Sequence, residues 1–365
     1  MTENVTPAEL RRAFLSQLAG DFAEAEAGYR RALAAPALAD AARRHLIHLL
    51  ESQHRWDDAL RETIAAHEAN PQAPELMVHV ATALLGLGRY PEAWPLLEAR
   101  AALPAGSVRP RLNYPEWDGR PVRSLTLWDE LGAGDTIQFA RFIPDLLARG
   151  IKVTLVVRPE LAPLMEGLGA EVIAAQGDIR VPQADAWAMM GSLPLRMGVT
   201  LDSLPGRTAY LKATPDRLNR WARTLRPTAR IGVVTCGKAA HPNDRNRSLP
   251  YAAAGFLLSL PGAENLHPEE STLPLTDFAE TAAVVQHLDL VISVDTAVAH
   301  LAGALGKPCW VLLPWVGEDW RWLHDGRTDS PWYPSLKLYR QPAPGDWATP
   351  LRQIAEDIPA FFKKG

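Results

Sequence analysis

The stretch Val291-Ile292-Ser293-Val294-Asp295-Thr296-Ala297-Val298-Ala299-His300-Leu301-Ala302-Gly303-Ala304-Leu305-Gly306-Lys307-Pro308 decides the fold. It opens as an apolar, β-branched run ending at Ser293, and small helix-compatible residues come after Asp295 until Gly306-Lys307-Pro308 stops them. Cys309 to Leu313 is again apolar and strand-like. An apolar strand, a helix and a second apolar strand in direct succession read as a parallel βαβ unit. Parallel strands are covered on both faces, so they lose the polar alternation of a half-exposed strand.

The same alternation extends in both directions. Strands are expected at 124–128, 151–157, 171–174, 231–235, 290–293 and 309–313. Helices are expected at 135–149, 159–168, 251–259, 277–287 and 296–305. This is an α/β chain with two Rossmann-like lobes, at 124–212 and 213–345. A last helix over 346–365 is expected to cross back onto the first lobe. Ligands of doubly wound sheets sit beyond the carboxyl ends of the strands, so two facing lobes place the site in the cleft between them.

The first 102 residues are different. Phe22, Trp56 and Tyr90 are spaced by thirty-four residues, as are Ala25, Ala59 and Ala93. A helical period of that length, with an aromatic and a small residue at fixed offsets, predicts tetratricopeptide (TPR) repeats. The alanine lets paired helices approach, and the aromatic is expected to fill the groove of the next pair. A plain helical bundle is the competing reading. Residues 103–123, with Pro104, Gly106, Pro110, Pro115, Gly119 and Pro121, read as a linker that Trp117 pins to a neighbouring surface.

Composition narrows the function. At 365 residues the chain exceeds one hydrophobic core, and 47% hydrophobic with 22% charged residues is ordinary for a globular protein. A net charge of −4 argues against nucleic acid as a partner. No apolar run is long enough for a transmembrane segment, and Glu3, Glu9 and Arg11 leave no room for a secretory core, so the cytoplasm is the expected location. The two cysteines, Cys236 and Cys309, lie in apolar stretches and are expected as buried free thiols.

Three segments carry chemistry. The helix start at Asp295, Thr296 and Ala297 offers backbone N–H groups and a hydroxyl to an anion, with His300 one turn further on the same face. Asp295 as helix cap and His300 as packed core are the bland alternatives. In Leu131-Gly132-Ala133-Gly134-Asp135, Gly132 and Gly134 allow a tight turn, and Asp135 stands at a helix mouth as a candidate general base. The same carboxylate would also serve as a cap. Gln138 comes next on that helix. The loop Lys238 to Ser248 brings Lys238, Arg245 and Arg247, which would neutralise a leaving diphosphate or simply face solvent. No Walker loop, nucleophile elbow or cysteine–histidine metal cluster is legible, and neither metal nor cofactor is expected.

Gly132-x-Gly134-Asp135, and Asp295-Thr296 running through His300 to Leu301-Ala302-x-Ala304-Leu305-Gly306-Lys307-Pro308, resemble the bacterial lipopolysaccharide heptosyltransferases of glycosyltransferase family 9. TPR-containing relatives of that group are more similar still, through Asn243-Asp244-Arg245-Asn246-Arg247-Ser248, Asp277-Phe278-Ala279, Asp319-Trp320-Arg321-Trp322 and Ser330-Pro331-Trp332-Tyr333-Pro334. The resemblance implies a GT-B fold and inverting, metal-independent transfer from a nucleotide sugar. Asp135 would be the base. Asp295, Thr296, Ala297, His300 and Arg247 would hold the donor diphosphate, and Glu264, Glu269 and Glu270 are candidates for the ribose contact. A repeat array presents a concave surface to a protein or glycan acceptor, or to a partner. The alternative is an inactive TPR scaffold or a nucleotide-sugar sensor. Trp315, Trp320 and Trp322 are expected near the cleft, either stacking on ligand or packed in the core.

Overall fold

The computed structural model describes residues 6–103, 109–204 and 209–363. Residues 104 and 106 of the expected linker, with residue 3, lie outside the described residues. The chain divides into two compact units, Met1–Gly106 with Val316–Asp325, and Ser107–Trp315 with Gly326–Gly365.

The first unit contains helices α1 (Pro7–Leu18), α2 (Phe22–Ala32), α3 (Ala39–Ser52), α4 (Trp56–Ala69), α5 (Pro74–Gly86) and α6 (Tyr90–Leu97), each packed on the next. Phe22, Trp56 and Tyr90 each begin the second helix of a pair, so the sequence period is the period of a two-helix unit. Ala25, Ala59 and Ala93 are buried one turn on, where a larger side chain would hold the helices apart. The corner inside each pair uses a left-handed residue at the same period: Gly20 (φ +84°), His54 (φ +56°) and Gly88 (φ +74°). Glycine takes that conformation freely, whereas His54 accepts a cost on the order of 1 kcal/mol to keep the corner.

The aromatic residues of the period do not fill the groove of the next pair as expected. Trp56 stacks on His324, with ring centroids 3.7 Å apart and planes 11° apart, and Tyr90 meets the edge of Trp320 at 6.2 Å. Both partners come from Val316–Asp325, which therefore belongs to this unit and not to the 213–345 lobe. The His324 amide donates to the Gly86 carbonyl at 2.9 Å, and a Cβ on residue 86 would collide with the His324 ring. Trp322 is fully buried and Trp320 nearly so, which removes both from the expected cleft. Their large apolar surface finds cover against α5 and α6. Phe22, in the first pair, stays 41% exposed.

The second unit holds two all-parallel sheets. One has order β3-β2-β1-β4, from β1 (Ser124–Trp128), β2 (Lys152–Val157), β3 (Glu171–Ala174) and β4 (Ala186–Met189). The other has order β6-β5-β7-β8-β9, from β5 (Ile231–Val234), β6 (Ala263–Asn265), β7 (Leu290–Val294), β8 (Cys309–Leu313) and β9 (Leu336–Arg340). Between the strands run α7 (Ala133–Phe139), α8 (Ile143–Ala148), α9 (Ala162–Met165), α10 (Leu193–Arg196), α11 (Pro215–Thr224), α12 (Asp244–Arg247), α13 (Tyr251–Leu258), α14 (Phe278–His287) and α15 (Ala297–Ala304), and α16 (Ala348–Lys363) comes after β9.

Two expectations change. Part of the expected linker is the edge of the first sheet: the Trp117 amide donates to the Trp187 carbonyl at 2.7 Å, and Trp117 is buried. The last helix packs on the second sheet, where Leu351 and Ile354 share a core with Trp310 and Tyr339, rather than on the first lobe.

α11 and α14 are stapled by Glu280, which receives the indole N–H of Trp221 at 2.6 Å and the guanidiniums of Arg217 and Arg220. Burial opposes ionisation of this carboxyl, but the hydrogen bonds from Arg220 and Trp221 and the two positive charges outweigh it. They hold its pKa below the usual carboxylate value. A depressed carboxylate pKa contributes stability above the unfolded value of about 4.5, and the contribution is lost as pH falls through the folded value. Glu280→Gln should cost about 1–3 kcal/mol at neutral pH. Its melting temperature should also fall less than wild type's between pH 6 and pH 4, on the order of the range over which carboxylates titrate. Parallel pH curves for the two proteins would refute the staple.

Candidate functional site

Three loops, each leaving the carboxyl end of a strand, build the site. Beyond β1, Asp129 accepts from the backbone N–H and Nε of Arg158 at 3.1 and 2.7 Å, and Arg158 donates onward to the Leu131 carbonyl at 2.8 Å. This clamp holds Leu131 at φ +62°, a strained conformation for a branched residue and of the kind that clusters at functional sites. The Gly132 amide then donates to Asp135 Oδ2 at 2.8 Å. Asp135 is therefore the third residue of α7 reaching back to its start, and Gly132 is the cap. Its carboxylate is half-buried at the carboxyl end of β1.

Beyond β7, Thr296 caps α15, so Asp295 is not the cap. The Ser293 hydroxyl lies 3.1 Å from that of Thr296. His300 is buried, and its Nδ1 lies 3.0 Å from the Tyr333 hydroxyl. Its Nε2 side faces α7: a Cβ added to Gly134 would lie 2.8 Å from His300 Cδ2 and 3.5 Å from both His300 Nε2 and the Ala297 Cα. Gly303 gives the matching clearance to the Tyr333 ring. Asp135 on α7 thus stands beside the face of α15 that carries Ala297 and His300. Tyr333 belongs to a network that sequence reasoning missed. Fully buried Arg141, just after α7, lies over the rings of Tyr333, Trp332 and Tyr210, with Cζ 4.7, 4.9 and 5.3 Å from their centroids. Gln138 is fully buried and does not face solvent.

Beyond β5, Arg247 turns inward. Its Nη1 donates to the Asp295 carbonyl at 2.9 Å and its Nε to Asp244 at 3.1 Å, and a Cβ on Gly237 would collide with its guanidinium. The loop thereby lies against the start of α15. Lys238 and Arg245 belong to the same loop, and both are exposed. Glu264, one of the ribose candidates, is buried in β6 and accepts from Arg226 at 2.6 Å. Trp315 donates its amide to Gln341 at 2.9 Å. Cys309 is buried as expected, but Cys236 lies beyond the end of β5, half-buried, in a group with His267 and Glu270. His267 and Glu270 are three residues apart, but Cys236 lies thirty-one residues before His267, so no cysteine–histidine spacing announces the group.

With this geometry in view, residues 262–312 match the model of glycosyltransferase family 9 (heptosyltransferase). This match is a likeness over one segment of the chain. It spans β6, α14, β7, α15 and most of β8, and it supports a glycosyltransferase. Protein FlbA of Caulobacter vibrioides is 28% identical over 344 residues, covering 80% of this chain and 57% of its own length. The chain thus spans little more than half of that relative. Two solved structures are also similar. Escherichia coli ADP-heptose lps heptosyltransferase II is 12% identical, with a TM-score of 0.44 over 66% of this chain and 99% of its own. The glycosyl transferase family 9 protein of Veillonella parvula is 12% identical, with a TM-score of 0.43 over 65% of this chain and 89% of its own. The architecture is two parallel α/β sheets preceded in sequence by a helical region. No helix among the described residues is long and apolar enough to cross a membrane.

The contact between α7 and α15 makes a prediction. Gly134→Ala places a methyl group against a buried imidazole and the Ala297 backbone, and should destabilise by about 1–3 kcal/mol through overpacking. The loss should appear as a lower melting temperature by calorimetry, and a melting temperature equal to wild type would mean that the contact is loose.

Proposed function

We propose that the chain is an inverting glycosyltransferase that moves a sugar from a nucleotide-sugar donor to a hydroxyl of a protein or glycan acceptor. The observation that carries this reading is the placement of Asp135, at the mouth of α7, beside the helix start that would bind the donor diphosphate. The donor's phosphates dock on the N–H groups at Ala297 and beyond, with the hydroxyl of Thr296 and the ring of His300 as further donors. Tyr333 lies at Nδ1 of His300, and the opposite edge of the ring faces α7. Asp135 takes the proton of the acceptor hydroxyl as that oxygen attacks the anomeric carbon. The new bond forms on the face opposite the diphosphate, the bond from that carbon to the phosphate oxygen breaks, and the configuration inverts. Negative charge grows on the departing diphosphate, where Arg247 already lies and where Lys238 and Arg245 are close in sequence. Such preorganised donors contribute on the order of 10²–10³ in rate each, and here they take the part a divalent ion plays elsewhere.

We read the helical unit as three TPR repeats that recruit the acceptor or a partner carrying it. Its two-helix period, buried alanines and left-handed corners support that reading. The nucleotide-sugar donor is a substrate, no resident cofactor is invoked, and a cytoplasmic setting fits a nucleotide-sugar substrate.

Asp135→Asn keeps an oxygen for the Gly132 amide, so α7 should persist while the base is lost. Transfer should then fall by about 10²–10⁴ while nucleoside-diphosphate affinity stays within about twofold. If wild type neither transfers nor hydrolyses any common nucleotide sugar, yet a partner binds the helical unit, the scaffold reading replaces this one. Thr296→Val with His300→Ala should weaken nucleoside-diphosphate binding about tenfold or more, since a hydrogen bond to a charged group contributes roughly 1.5–3 kcal/mol. Unchanged affinity in a folded double variant would move the phosphate site elsewhere.

A further inference from the structure

The carboxyl edge of the second sheet holds a group that the transfer chemistry does not use. β5 and β6 are parallel neighbours, with Val233 beside Asn265, and the Leu266 amide continues the ladder by donating to the Val233 carbonyl at 2.9 Å. Cys236 lies two residues past the end of β5 and His267 two residues past the end of β6, so the two leave the sheet side by side. A tight turn then folds Glu270 back. The His267 carbonyl accepts from the amides of Glu270 and Ser271 at 3.1 and 2.8 Å, and the Ser271 hydroxyl donates to the Asn265 carbonyl at 2.6 Å. The Asn265 side chain fixes the start of the turn by accepting from the His267 amide at 2.9 Å. The thiol of Cys236 ends 3.5 Å from Glu270 Oε1, and one donor atom from each of the three residues lies within 4.8 Å of the other two. Nδ1 of His267 is buried with no hydrogen-bond partner among the described residues.

We propose that Cys236, His267 and Glu270 bind a zinc-class divalent cation at this edge of the sheet. Sulfur, imidazole nitrogen and carboxylate oxygen together suit a borderline-soft ion, whereas magnesium and calcium take oxygen ligands. Bond lengths of about 2.0–2.3 Å bring tetrahedral ligand atoms to roughly 3.3–3.8 Å of one another, so the group closes by about an ångström through side-chain rotation. Thiolate and carboxylate balance the charge of the ion. Three protein ligands leave the fourth position open to solvent. Glu270 is exposed and Cys236 and His267 are half-buried, so an ion can enter without unfolding the lobe. The ion would anchor the root of the Lys238–Ser248 loop, because Gly237 comes directly after Cys236 and donates its amide to Ser248 at 3.0 Å. This site uses none of the residues proposed as base or diphosphate ligands, and of its three ligands Glu270 alone was also a candidate for the ribose contact.

Cobalt(II) tests it by spectroscopy. The full chain, stripped with chelator, should bind one equivalent of cobalt with a near-ultraviolet sulfur-to-metal charge-transfer band and intense visible bands of a four-coordinate ion, and zinc should erase both. Cys236→Ser should abolish the sulfur band, and His267→Ala and Glu270→Gln should each weaken cobalt binding at least tenfold. Cys309, buried in β8, is an internal control that leaves the band untouched when changed to serine. Should Cys236→Ser fail to fold, zinc protection of Cys236 from alkylation in wild type gives the same answer. Absence of a sulfur band in wild type, its persistence in folded Cys236→Ser, or alkylation that zinc does not slow would each overturn the proposal.

Discussion

The approach of α7 to α15 is the constraint on which the rest of the larger unit depends. Two helices that start at the carboxyl ends of strands in different sheets can meet only where side chains leave room, and Gly134 leaves that room to the ring of His300. Gly303 does the same for Tyr333, whose hydroxyl meets His300 Nδ1. Behind them the guanidinium of Arg141 is wholly buried under three aromatic rings. A buried charge is costly unless its field is met, and ring faces are the groups positioned to meet it here.

Legibility followed local physics. β8 and β3 were readable to the residue because apolar, β-branched runs bounded by breakers leave little choice. β4, β6 and β9 were not. Ala186–Met189 has no β-branched residue, Ala263–Asn265 has only three positions, and Leu336–Arg340 mixes charges into its alternation. Each of them pairs on an outer edge of its sheet, where register against a neighbour does what local preference does not. The family-like loops carried Asp135, Thr296 and Arg247 in contiguous motifs, so their places could be read directly. Tyr333 was visible only as part of a shared Ser-Pro-Trp-Tyr-Pro run, with nothing to say that it would reach a histidine thirty-three positions earlier. Gln138 and Glu264 were singled out by polarity and neighbourhood, and neither signal foretold that the fold buries the first and pairs the second with Arg226.

The segment Val316–Asp325 bears on how the molecule is made. Helices α1 to α6 are complete within the first hundred residues, yet Trp56 and Tyr90, beside their local ring contacts with His54 and Trp94, also pack on rings encoded more than two hundred positions later. Domains generally fold as units while the chain is synthesised, amino-terminal part first. This helical unit cannot finish that way. Until His324 and Trp320 have emerged from the ribosome, the array carries uncovered aromatic surface, and both sheets up to β8 are synthesised before it closes. The last step of assembling the helical unit therefore waits on the segment that follows β8, and a nascent chain stalled before that point would expose aromatic surface that the finished protein covers.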